Sequence, residues 1–358
     1  MRMNSPSFRR CLYLLAPGSV VALFVAFVAL TAPRPEAAPT PAPEAAPPVW
    51  TAGPDPLQLP GDLPSIGNQH GDVAVSANGD LYVSVMQGLR AGVQVYAADG
   101  TYLRNVKDAP TDFHGFVIHQ GADGEFIYGP QLGGGKIVKL TLEGEVALTI
   151  PGEAIPKEYW LVNPKTGQAA LRLTGCTVAP NGDLFVTDGY ATDYVHRFNA
   201  KGEYLATFGG KAAPYGFKTL HKIAIDTRFD PPRLVGTDRA NNRVVHLSLE
   251  GELLGEIATD LLMPAAAVVQ GDLLAVGEIK GRVTIFDKEN RVVARLGENP
   301  NPDEVGTNKI EPAQWKPGVV NAPHGVAFNA AGDLFVSEYS LHGRVLKFTR
   351  SANGVAAR

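Results

Sequence analysis

The chain has 358 residues, 45% apolar and 19% charged, enough to bury a sizeable core and too apolar for disorder. Its 39 glycines and 28 prolines interrupt it too often for a helix bundle. The formal charge is −4, and four arginines against two glutamates in the first 48 residues leave −6 on the rest, the wrong sign for a nucleic-acid partner.

Residues 1–32 read as an address. Arg9-Arg10 precede Cys11–Ala32, whose apolar run Val20–Leu30 matches the core of a signal peptide. The same segment is long enough to span a bilayer of about 30 Å at ~1.5 Å per residue, and Pro33 directly after Ala32 leaves no clean cleavage site. Signal peptide and membrane anchor therefore both stand. Residues 33–48 are a Pro/Ala/Glu run that cannot form a core and read as a semi-rigid spacer. Together they imply an extracytoplasmic protein, secreted, periplasmic or tethered, that meets a membrane only through its N-terminal segment.

Residues 49–350 are built from six copies of one unit, followed by a polar tail at 351–358. The turns Asn78-Gly79-Asp80, Asp123-Gly124-Glu125, Asn181-Gly182-Asp183 and Ala331-Gly332-Asp333 mark four units, and Pro231-Pro232 and Gly271-Asp272 fill the same slot in the other two. Each turn leads into a strand rich in β-branched and aromatic residues, such as Leu81–Val85, Leu184–Asp188 or Leu334–Glu338, and then into a third, such as Val93–Tyr96 or Val345–Phe348. Four short strands per repeat with no helical period predict an all-β, six-bladed β-propeller with four-stranded antiparallel blades. A β-sandwich would not explain six aligned turns. The last unit lacks a fourth strand, so residues 49–59 are expected to supply it and close the ring.

Aligning the turns sets an innermost slot in each blade: Gly71, His114, Thr174, His221, Ala265 and His324. Blades two, four and six carry histidine, and alternate blades of a six-bladed ring stand about 120° apart. His114, His221 and His324 should therefore converge on the channel as a three-imidazole site for zinc or a similar ion, with a further position open. Of two cysteines, Cys11 lies in the leader and Cys176 stands alone, so no disulfide framework or Cys-rich zinc site can be written. His70, one residue before its slot, and His119, later on the strand of His114, are expected to be structural or near the channel wall; His196 and His246 on third strands and His342 in a loop are expected to be structural. A second ring, Asp188, Asp238, Glu278 and Glu338, follows strand two, where carboxylates ordinarily anchor backbone N–H groups or arginines. Tyr190 and Arg239 stand just beyond that ring, at strand ends that return to the histidine face. The long connections 151–170 and 297–319 should reach the same face and bring Tyr159, Trp160 and Trp315.

The unit pattern resembles NHL-type propellers, and Val186–Tyr190 with Thr237–Arg243 resembles the peptidyl-hydroxyglycine amidating lyase branch. The resemblance to propellers covers roughly residues 50–350, whereas the lyase-like motifs span a few dozen. It implies a zinc-dependent carbon–nitrogen lyase in which His114, His221 and His324 hold zinc, Tyr190 acts as base or alkoxide stabiliser, and Arg239 grips a carboxylate. A small or peptide-like substrate and a monomeric chain follow from the same reading. The sequence departs from the family where Gly115, Lys222 and Gly325 follow the axial histidines in place of the aspartates of a calcium site, which puts calcium in doubt. It departs again where Ala191 replaces a cysteine. The alternative is a non-catalytic propeller that binds a protein or cell-envelope ligand through the same face.

Overall fold

A computed structural model describes residues 48–61 and 63–351. The expected leader (1–32), residues 33–47 of the spacer, and the tail from 352 lie outside the described residues. The described chain forms six four-stranded antiparallel sheets and one small two-stranded hairpin. Its helical structure is limited to short 3₁₀ turns.

Blade one comprises Val73–Val75, Leu81–Val85, Gly92–Tyr96 and Tyr102–Asn105. Blade two runs from Val117–Gly121 to Val146–Ile150, and blade three from Gly175–Val178 to Tyr204–Gly209. Blades four and five run from Leu220–Asp226 to Leu253–Ala258 and from Pro264–Gln270 to Val292–Leu296. Blade six takes Pro323–Phe328, Leu334–Glu338 and Val345–Ser351 from the C-terminal end and Val49–Ala52 from the N-terminal end. The closing strand pairs in register from Val49↔Ser351 to Ala52↔Phe348, and the buried Trp50 donates its indole N–H to the Gly332 carbonyl at 3.1 Å.

The repeated turn has a local cause. Gly79, Gly182 and Gly332 sit at φ of 93°, 87° and 85°, a region in which a Cβ is costly. The acid that follows ties the turn to strand three: Asp183 accepts from Arg197 Nε and Nη2 at 2.8 and 2.6 Å, and Asp333 pairs with Lys347 Nζ at 2.9 Å.

Hydrophobic cores form between blades. Val93, Phe113, Ile127 and Leu140 join blades one and two, Phe185, Val195, Leu234 and Val245 join three and four, and Ala275, Ile285, Val336 and Phe348 join five and six. Burial on both faces explains why the second strands read as continuous apolar runs. It also fixes the inner strands around the axis, where the chemistry lies.

Candidate metal centre

The inner strands of blades four, five and six each bulge at their first turn of pairing. In blade six Pro323 faces Glu338 and Gly325 faces Ser337, which leaves His324 as the extra residue; Ala265 has that place in blade five, and His221-Lys222 span the irregularity in blade four. A bulge re-aims a side chain out of the ladder. Here it turns His221 and His324 to the axis, while His114 arrives from the segment just before Val117–Gly121.

The three axial imidazoles are fully buried, and their ring centres lie 4.6 to 4.8 Å apart with planes nearly perpendicular, at 78° to 88°. Each Nδ1 meets the backbone carbonyl of the slot in the next odd-numbered blade: His114 with Thr174 O at 2.7 Å, His221 with Ala265 O at 2.6 Å and His324 with Gly71 O at 3.3 Å. A carbonyl only accepts, so each Nδ1 carries the proton and each Nε2 offers a lone pair. Odd blades thus set the tautomer of the histidines on even ones.

Those lone pairs are more than the protein can satisfy. The Tyr190 hydroxyl lies 3.1 Å from His114 Nε2 and 3.0 Å from His221 Nε2, and accepts from Arg239 Nη1 at 3.2 Å. A phenol has one proton, so it can serve one of the two imidazoles. His324 Nε2 is buried without a hydrogen-bond partner. Buried acceptors left unpaired are costly, and a cation shared among them removes the cost. The spacing agrees: Zn–N bonds of about 2.0–2.1 Å set the ring centres of a tetrahedral imidazole site roughly 5 Å apart. An anchored Nδ1–H is also what ligating histidines ordinarily have.

A fourth imidazole joins them. His70, expected to be structural or near the wall, has its ring centre 4.7 Å from that of His114 and 4.8 Å from that of His324, and the ligand atoms of His70, His114 and His324 lie within 4.8 Å of one another. Three histidines able to hold a metal ion are thus present. That group includes His70, whereas the sequence alone places His221 in that role. His70 packs against Tyr339, ring centres 4.4 Å apart. Tyr339 also lines a small apolar wall with Met263 and Ile279.

Burial, with the charges of other basic groups nearby, holds the imidazoles neutral. It lowers His114, His221 and His324 well below the usual histidine value, and takes His70 to about 4. Burial likewise raises the Tyr190 phenol, against the pull of Arg239.

One residue along the strand, Lys222 lies across the channel. Its buried ammonium donates to Asp72 Oδ1 and, at 2.7 Å, to the carbonyl of His324. Phe116 N–H donates to the other Asp72 oxygen at 3.2 Å. The layer beneath the imidazoles, where the family resemblance would put a calcium site, thus holds a side-chain cation. Below it the channel opens into a cavity of about 290 Å³ lined by inner strands, with His119 at its wall.

The second-ring carboxylates anchor loops. Asp188 accepts from Arg172 N–H at 2.6 Å, Asp238 from Lys218 N–H at 2.8 Å, Glu278 from Leu262 N–H at 2.5 Å, and Glu338 from the N–H groups of Asn321 and Ala322. The rim aromatics do not join the cluster. Tyr159 packs on Tyr194, Trp160 lies against Lys157, and Trp315 lies under Arg344. The 151–170 connection spends its length on two 3₁₀ turns and the hairpin of Leu161–Val162 with Ala169–Ala170. His196 and His246 bond Thr207 and Asp226, and His342 lies 3.1 Å from a Glu311 carboxylate oxygen, all away from the axis.

No protein-family model and no curated protein matches this chain. Among solved structures it is similar to a streptogramin B lyase, with a TM-score of 0.54 and 16% identity over 84% of this chain and 98% of that one. It is similar as well to a Bacteroides thetaiotaomicron protein of unknown function, with a TM-score of 0.55 and 13% identity over 80% and 70% of the two chains. At these identities the likeness is one of fold, a six-bladed propeller.

Proposed function

We propose that this protein is an exported metal-dependent lyase that cleaves a carbon–nitrogen bond in a hydroxylated, carboxylate-bearing substrate such as an α-hydroxyglycine peptide end. The observation that carries the reading is the trio of neutral imidazoles, each locked by a carbonyl into the tautomer that turns a lone pair to the axis, beside one phenol and one guanidinium. His114, His221 and His324 would hold the ion. When bound, a zinc-like ion supplies Lewis acidity toward the substrate hydroxyl.

The chain's own groups do the rest. Arg239 offers a planar donor pair to a carboxylate and so fixes which way the substrate enters. Tyr190 stands between that guanidinium and the imidazoles, within reach of a hydroxyl brought beside them. The hydroxyl proton passes to the phenol oxygen while the phenol proton passes to the departing nitrogen. The C–N bond breaks, its electrons stay with nitrogen, and the carbon–oxygen bond becomes a carbonyl, giving an amide and glyoxylate. That one of the similar propellers is called a lyase is consistent with such chemistry on this scaffold.

The test is release of glyoxylate from a hydroxyglycine-extended peptide by the zinc-loaded protein, with His221→Ala as control. Turnover lost in the control supports the lyase. Turnover no higher than the control overturns it and leaves a metal-bearing binding propeller.

A further inference from the structure

We propose that His70 is a fourth and labile imidazole of this centre: it closes the position that the three axial histidines leave open and yields it to a substrate hydroxyl. The inference rests on the metal reading above and adds to it a resting state in which the ion has four protein nitrogens.

Three observations carry it. First, His70 is as close to two of the axial three as those two are to each other: its ring centre lies 4.7 Å from that of His114 and 4.8 Å from that of His324, which are themselves 4.6 Å apart. Second, it stands at the edge His324 shares with His114, and His324 Nε2 has no hydrogen-bond partner. Tyr190 serves the other edge, between His114 and His221. Third, the axial rings are pinned and His70 is not. Each axial Nδ1 is held by a backbone carbonyl, whereas the one side-chain hydrogen bond of His70 among the described residues is a 3.5 Å contact with Tyr190.

Its backbone is nevertheless fixed. Gln69 exchanges both backbone hydrogen bonds with Ser340, at 2.8 and 3.0 Å, which sews the loop before blade one to blade six. A ring free at χ angles on a fixed backbone can swing between two positions without moving the fold. Tyr339 backs the ring on one side, ring centres 4.4 Å apart and planes tilted by 40°. Structural zinc sites are closed by four protein ligands and catalytic sites keep one position open. A ligand held by one edge of the cluster satisfies both conditions in turn, closed without substrate and open with it.

The experiment is X-ray absorption on the Co²⁺-loaded full chain, which counts imidazoles by their outer-shell scattering, together with the visible spectrum of Co²⁺. Wild type should show four imidazoles and the intense bands of a tetrahedral ion. His70→Ala should show three, with Co²⁺ affinity lower by roughly 10- to 100-fold or more, since even a ligand's supporting partner is worth that much. Addition of glycolate, a small hydroxy acid, should bring wild type down to three imidazoles. If His70→Ala folds poorly, His70→Gln keeps bulk against Tyr339 and should give the same count. An imidazole count that is the same in wild type and both His70 variants, with metal still lost in His221→Ala, overturns the role of His70 and leaves the metal reading intact. No Co²⁺ bound to wild type overturns both.

Discussion

In the imidazole layer the axial residues are Gly71, His114, Thr174, His221, Ala265 and His324; one residue further along, they are Asp72, Gly115, Gly175, Lys222, Ala266 and Gly325. The lower layer is complete in itself. Lys222 brings the positive charge, Asp72 the negative one, and the His324 carbonyl and Phe116 N–H take up further hydrogen-bonding capacity. Small residues make the room: a Cβ at Gly325 would stand 2.5 Å from Asp72 Oδ1, and one at Gly115 would stand 2.5 Å from the Thr174 carbonyl. The upper layer has the opposite composition. Its imidazoles present lone pairs to one another, Arg239 on its border reaches the Tyr190 oxygen, and Lys222 touches it through the His324 carbonyl and not through a ring nitrogen. One layer carries its own cation, and the other has histidines that could hold one.

The largest effect should come from removing a ligand. His221→Ala is expected to drop bound zinc, read by elemental analysis, from about one per chain toward none, and turnover with it. Chelation of wild type should do the same and be reversed by added zinc. Zinc retained at full stoichiometry in the variant would assign the ion to His70, His114 and His324 and remove His221 from its ligands.

The lower layer should respond in stability. Lys222→Ala leaves the buried Asp72 carboxylate without its counter-charge, and breaking such a pair costs about 3–5 kcal/mol. Asp72→Ala with Lys222→Met removes both charges and should recover most of that loss in a denaturant melt. If the single variant melts like wild type, the ion pair is not what fills the channel.

Tyr190→Phe is expected to lower kcat by roughly 10²-fold or more, in the range of a lost proton-transfer group, with zinc content unchanged. The phenylalanine keeps the ring against His114, whose centre lies 4.9 Å away, and removes just the oxygen. A fall in zinc content would instead assign Tyr190 to holding the ion.

Much of this was legible in the sequence. The turns carry the blade count because a glycine at positive φ followed by an acid recurs at one place in each of several repeats. The histidine alternation is legible once the turns fix the register. His70 was not, because a slot counted from turns allows one residue per blade. The inner strand of blade one is just Val73–Val75, so the residue before its slot hangs in a loop that Ser340, far along the chain, holds in place through Gln69. Tyr339 had a readable signal: it follows Glu338 as Arg239 follows Asp238. The rim aromatics failed for another reason. Strand direction tells which face a connection reaches and says nothing of its distance from the axis, and Tyr159 and Trp160 are spent on packing the flank of the blades.

The smallest effect sharpens the contrast between the layers. Arg239 borders the imidazoles and carries a full charge, so it could belong to either scheme: a grip for substrate, or a cation that stands in for a metal as Lys222 does below. Its contacts favour the grip. Nη1 donates to the Tyr190 oxygen, the guanidinium carbon lies 5.2 Å from the Tyr190 ring centre, and buried Nε has no hydrogen-bond partner. A guanidinium with an unused donor next to the reacting position suits a carboxylate that arrives with substrate. Arg239→Ala should therefore raise KM by about 10- to 100-fold, the worth of a hydrogen bond between charged groups, and leave kcat within a few-fold. Zinc affinity should hold or rise, since a like charge has left the neighbourhood of the ion. A variant that binds zinc more weakly, with KM unchanged, would place Arg239 among the supports of the imidazole layer and remove the carboxylate from the description of the substrate.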